Sequence, residues 1–178
     1  MTILILALTS LFLFTAYNVV SLKQFGIPKS LSETFYLWNS KKKNLGYVFT
    51  GMMFSMALTL VPAWLELGEV ISSWSTYLNP LVFFACAAIA FVGAAPAFRS
   101  NKMEGTVHEV SAKIAAACAL IWCFAACYQI WYVPLSCIIT VLIAGLCTKT
   151  FKKCSVYWLE MMAFAATFIT IITQLLIL

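Results

Sequence analysis

Aspartate is absent from this chain of 178 residues, and histidine occurs once. Charged residues make up 10% of it, with six glutamates against eleven lysines and arginines. These shortages exclude several chemistries. Without aspartate there is no Ser-His-Asp triad and no aspartyl dyad, and nothing in the spacing places a Ser-His-Glu arrangement. One histidine excludes a bis-histidine haem pair and a three-histidine zinc site, although mixed ligation stays open. No glycine-rich loop that could cradle a phosphate is present. The expectation is therefore a protein without metal or cofactor, and the reading leans away from an enzyme.

The shortage of charge also decides the solvent. At 63% hydrophobic residues and a mean hydropathy of +0.98, there is too little polar surface to cover a soluble globule of this length. A bilayer span needs about 20 apolar residues, so six spans take roughly 120 residues and leave only short loops. The seven cysteines are an odd number, and all lie in apolar runs or at their edges. They read as small buried apolar residues; Cys123 and Cys127, four apart, lack the second pair a zinc site needs.

The pattern predicts an all-α, polytopic membrane bundle occupying residues 1–178 as one domain. Six transmembrane helices are expected over about 1–21, 45–66, 79–98, 106–130, 133–151 and 155–178. The first run has no basic segment before it and no small-residue cleavage site before Lys23, so it reads as a retained helix rather than a signal peptide. Residues 30–40 read as a short amphipathic helix in the headgroup layer, with Leu31, Phe35 and Trp38 on one face and Ser30 and Glu33 at capping-box spacing. Asn79-Pro80 reads as the start of helix three, and Thr106 with Glu109 as the capping box of helix four. Residues 66–77, with Glu66 and Glu69, read as an outer loop. Helix four carries a small-residue face of Ala112, Ala115, Ala116, Ala119, Cys123 and Ala126, which is expected inside the bundle.

Cations set the expected orientation. Lys23, Lys29, Lys41, Lys42 and Lys43 fall in the first connection, Arg99, Lys102 and Lys113 in or beside the third, and Lys149, Lys152 and Lys153 in the fifth. All odd-numbered connections should then face the cytoplasm, with both termini outside. Spread over loops in this way, the charge marks membrane orientation and not a nucleic-acid face.

Ionisable groups inside a bilayer are costly unless paired. Glu160 lies about 8 Å into helix six, at 1.5 Å per residue, and Lys113 lies at similar depth in helix four. The two are expected to pair. Asn18, Arg99 and His108 reach the same level, with Glu33 on the loop-one helix as a lid. That cluster could bind a headgroup or small anion, Lys113 and Arg99 holding a phosphate and His108 or Glu160 relaying a proton. Glu109 is also placed to meet Lys113 at i, i+4. On helix six, Glu160, Ala163, Thr167, Thr170 and Gln174 form a polar seam.

The segment Pro28-Lys29-Ser30-Leu31-Ser32-Glu33-Thr34-Phe35-Tyr36 resembles a loop of uncharacterised small six-helix bacterial integral membrane proteins. It covers nine residues, and no activity follows from it. The first expectation is an inner-membrane, multi-pass protein that binds lipid, including anionic headgroups, or a membrane partner; self-association is left open. A small transporter or channel subunit using the helix-six seam, and an intramembrane lipid-modifying enzyme, are the alternatives.

Overall fold

Gly26 shows how the first helix is stopped. Its φ of +73° is the left-handed conformation, and its N–H closes onto the Leu22 carbonyl at 2.8 Å, so the chain leaves α1 (Thr2–Phe25) through a glycine cap. The computed structural model describes residues 2–96, 99 and 102–178. The expected end of helix three at Phe98 and the centre of the third connection, Ser100 and Asn101, lie outside the described residues.

The remaining helices are α2 (Glu33–Lys41), α3 (Tyr47–Ile71), α4 (Ser73–Thr76), α5 (Asn79–Ala94), α6 (Lys102–Ala126), α7 (Tyr132–Cys147) and α8 (Ser155–Ile177), with a 3-10 turn over Tyr128–Ile130. No strand occurs among the described residues. α1 packs on α3, α3 on α5, α5 on α6, α6 on α8, and α8 returns to α1, which closes a ring of five; α7 lies outside against α8. The position of α7 matches its sequence, since only Pro134 and Gly145 of it are buried.

Trp64 and Trp122 are fully buried within the ring together with Phe49, Met56, Leu60 and Phe168. Small residues set how closely the helices approach. A Cβ built on Gly93 would stand 2.8 Å from Met53 Cβ, so α5 and α3 meet at a distance only glycine permits. Outward, the bundle shows large apolar side chains such as Phe12, Leu58, Phe83 and Ile143, a surface suited to contact with hydrocarbon.

Four helices, α1, α3, α6 and α8, are long and apolar enough to cross a membrane. The other two expected spans are shorter. α5 and α7 have 16 residues each, about 24 Å of helix against a hydrocarbon core of about 30 Å. α5 stops where it does because Pro96 disfavours helix for the residue before it; Ala95 sits at φ −109°, ψ 58°.

Three local expectations change. α3 runs through Pro62 to Ile71, so Glu66 and Glu69 sit on its last turns and not in a loop; buried Leu67 and Gly68 continue its packed face. α6 starts at Lys102, and Thr106 Oγ1 donates to the Lys102 carbonyl at 3.1 Å instead of capping. The N-cap of α5 is Leu78, and Asn79 Oδ1 is buried without a partner.

The segment expected in the headgroup layer is built into the protein. Leu31 and Phe35 are buried. Trp38 Nε1 donates to Ser21 Oγ at 3.1 Å, and its ring meets Phe25 edge-on at 4.9 Å. The predicted capping box forms only in part: Ser30 Oγ accepts the Glu33 N–H at 3.2 Å, but Glu33 Oε2 accepts the Lys29 N–H at 2.6 Å and not that of Ser30, and the N-cap of α2 is Ser32, without a side-chain cap. The apolar face of α2 is thus spent on α1 and α3.

Candidate functional site

Between α3, α5, α6 and α8 runs an apolar slot. α6 contributes Ala112, Ala115, Ala116 and Ala119 to its wall, α3 contributes Met53, Leu60 and Trp64, and α8 contributes Ala163, Phe164, Thr167 and Phe168. Alanines at three- and four-residue steps carry nothing beyond Cβ, so α6 leaves a strip of unfilled space where a larger side chain would close it. The slot ends on Leu31 and Ser32 of the first connection and on Glu160.

The slot is narrow. The centre of a water-sized sphere can occupy ≈ 60 Å³ of it. Along α8 it extends from Glu160 to Phe168, about 12 Å at 1.5 Å per residue. Averaged over that length, the space admits one file of carbon-sized groups and no second one beside it. That is the girth of one extended hydrocarbon chain.

Its polar end is built from three elements. Glu160 Oε2 accepts the Leu31 N–H at 2.7 Å, which ties the first connection to α8 across the bundle. Ser32 Oγ and His108 Nε2 are 2.8 Å apart, and His108 Nδ1 is 3.2 Å from the Ala95 carbonyl. A carbonyl oxygen only accepts, so Nδ1 carries the proton, and Nε2 takes the Ser32 hydroxyl hydrogen. Both partners are buried. Beside them Arg99 Nη2 meets Glu33 Oε1 at 2.5 Å, and the Arg99 guanidinium lies 4.9 Å over the Tyr36 ring.

The predicted cluster is therefore only partly assembled. Glu160, Glu33, Arg99 and His108 all surround the start of α2, as expected. The Glu160–Lys113 pair does not form: Lys113 Nζ bonds Glu109 Oε1 at 2.6 Å, and both side chains are about 70% exposed (72%/69%). The local i, i+4 contact needs no rearrangement of the fold and wins over the distant one. Asn18 is buried but spends its amide on the Phe14 carbonyl of its own helix, at 2.9 Å, and does not line the slot. A phosphate site made by Lys113 and Arg99 is lost with these pairings, because one cation faces outward and the other is neutralised.

The helix-six seam faces inward: Thr167, Thr170 and Gln174 are all buried. Only Thr167 reaches the slot, and its hydroxyl donates to the Ala163 carbonyl at 2.8 Å. Thr170 Oγ1 and the indole nitrogens of Trp64 and Trp122 have no partner. Ser32 is the residue that sequence reasoning missed. Its signal was its place just before Glu33 at the head of α2, directly in line with a capped helix start.

Glu33 lies outside the spanning helices and has a measurable role. Burial pushes its carboxyl up, but the Lys29 N–H and then the Arg99 guanidinium outweigh burial and hold it below its ordinary value of 4.5. A carboxyl depressed on folding contributes stability above its unfolded value, and that contribution is lost as pH falls through the folded value. The thermal midpoint should drop as pH goes below 4.5, and Glu33→Gln should flatten that part of the profile. Arg99 is 48% exposed, which limits the contribution to less than about 1 kcal/mol. An unchanged acid limb in the variant would remove this pair from the account.

No family model, curated protein or solved structure matches the chain.

Proposed function

We propose that the chain is a six-span integral protein of a bacterial inner membrane that holds one lipid chain in the slot between α3, α5, α6 and α8. The observation that carries this reading is the slot itself, about one hydrocarbon chain wide, charged only at Glu160 among the described residues, and otherwise apolar apart from Ser32 beside it and Thr167, whose hydroxyl is turned onto the Ala163 carbonyl. An empty apolar slot in a bilayer forfeits dispersion contacts on its walls, and an acyl chain restores them. Segregation of charge supports the orientation, since the lysines and arginine other than Lys113, which stands midway along α6, lie at helix ends or in the first, third and fifth connections. α5 and α7 complete the six spans as short crossings, accommodated by local thinning of the bilayer or flanking aromatics such as Trp131 and Tyr132.

The binding reading is tested by native mass spectrometry of protein released from nanodiscs. Wild type should retain about one lipid per chain. Ala116→Trp, which fills the slot, should lose it, whereas Ile139→Trp on the exposed face of α7 should keep it. Equal retention in both variants would place the bound lipid elsewhere and end the proposal.

A further inference from the structure

We infer that the slot selects chains that end in an ammonium group, a long-chain amine, over chains with an anionic head. The inference rests on the lipid-slot reading and adds the chemistry of the head. Its basis is which groups at the polar end remain available.

Among the described residues, Glu160 is the one charged side chain in the wall of the slot. One of its oxygens holds the Leu31 N–H; the other has no hydrogen-bond partner among the described residues. No lysine, arginine or histidine among those residues pairs with it. The cations that could have served an anionic head are engaged elsewhere, Arg99 with Glu33 and Lys113 with Glu109. His108 uses one nitrogen on Ala95 and the other on Ser32, and in that tautomer its ring N–H points at the Ala95 carbonyl, not at the slot. The N–H of Leu31 is taken by Glu160.

What the slot offers a head group is therefore acceptors. Glu160 presents a carboxylate oxygen, and Ser32 Oγ, which donates its hydrogen to His108 and accepts from Ser30 Oγ at 3.3 Å, keeps one lone pair. An ammonium has three donors and no acceptor, and its charge compensates the carboxylate in a medium where an unpaired charge is costly. At the Glu160 end a sulfate, phosphate or carboxylate would meet a like charge with no side-chain donor beside it among the described residues; the unpartnered indole N–H of Trp64 belongs to the α3 wall. A neutral hydroxyl falls between the two, donating one bond. The aromatic walls at Phe164 and Phe168 suit the hydrocarbon behind the head, and the roughly 12 Å from Glu160 to Phe168 accommodates about ten carbons in extended form.

The test uses the whole chain in phosphatidylcholine nanodiscs, with binding of decylamine, decanol and decyl sulfate each corrected for partition into empty discs. Decylamine should bind at least about tenfold more tightly than decyl sulfate, with decanol between them. Glu160→Gln keeps an oxygen for the Leu31 N–H and should lose the preference for the amine over decyl sulfate, whereas Ile139→Trp, on the exposed face of α7, should keep both that preference and the decanol affinity of wild type. Ala116→Trp should weaken all three. If decyl sulfate binds wild type as well as decylamine, or if Glu160→Gln keeps the preference, ammonium selection is wrong while the slot stands. If Ala116→Trp leaves all three unchanged, the slot reading falls and this inference falls with it.

Discussion

Trp122→Ala is expected to lower stability by about 3 kcal/mol, read as a shift in unfolding from mixed micelles of mild detergent and SDS. Trp122 is fully buried and stands edge-on to Trp64 with ring centroids 5.3 Å apart. In a bilayer the unfolded helices stay in hydrocarbon, so the transfer part of the usual penalty largely disappears. The packing part remains, because removing an indole between α3 and α6 leaves a void that rigid helices cannot close. Trp122→Phe separates packing from polarity. The indole nitrogen of Trp122 is buried without a partner, so the variant that keeps a ring and drops the N–H should be near neutral. A loss in Trp122→Phe as large as in Trp122→Ala would mean that the N–H is satisfied and that packing is not the main contribution.

His108→Leu is expected to cost about 2–3 kcal/mol by the same measurement, since it leaves the Ser32 hydroxyl and the Ala95 carbonyl without their partner in a buried setting. Ser32 and His108 are 76 positions apart, so the bond fastens the head of α2 to α6. The double variant Ser32→Ala/His108→Leu should recover about 1 kcal/mol relative to the sum of the single changes, because the hydroxyl that His108→Leu orphans is then gone. Strict additivity would show that the two side chains do not act as a pair.

Local contacts were legible and distant ones were not. The alanine face of α6 could be read from its spacing, and it lines the slot. The Glu109–Lys113 contact could also be read, yet the sequence equally allowed Lys113 to reach Glu160. A side chain that can satisfy itself four residues away does so at almost no conformational cost, whereas a pair across two helices depends on their relative rotation. The partner that Glu160 does have, the N–H of Leu31, lies 129 positions away. A backbone donor leaves no mark in the residue types, so no pattern could have named it.

The end of α3 failed for a related reason. Two glutamates in a short stretch look like a loop on hydropathy alone. Leu67 and Gly68 between them are buried, so packing keeps the chain helical, and Glu66 and Glu69 follow as outward positions of the same helix. The α2 segment shows the converse. Its caps and apolar face were evident, but an apolar face does not state whether lipid or protein covers it.

Composition and periodicity determined the helical class, the four helices long and apolar enough to cross a membrane and the small-residue face of α6, because each depends on residue type and spacing along one element. Tertiary structure alone decided that Lys113 turns outward, that Arg99 is neutralised by Glu33, and that Glu160 closes an apolar slot beside Ser32 and His108. Those outcomes depend on how the helices are rotated and how far apart their axes lie, and backbone groups and single methyls set both.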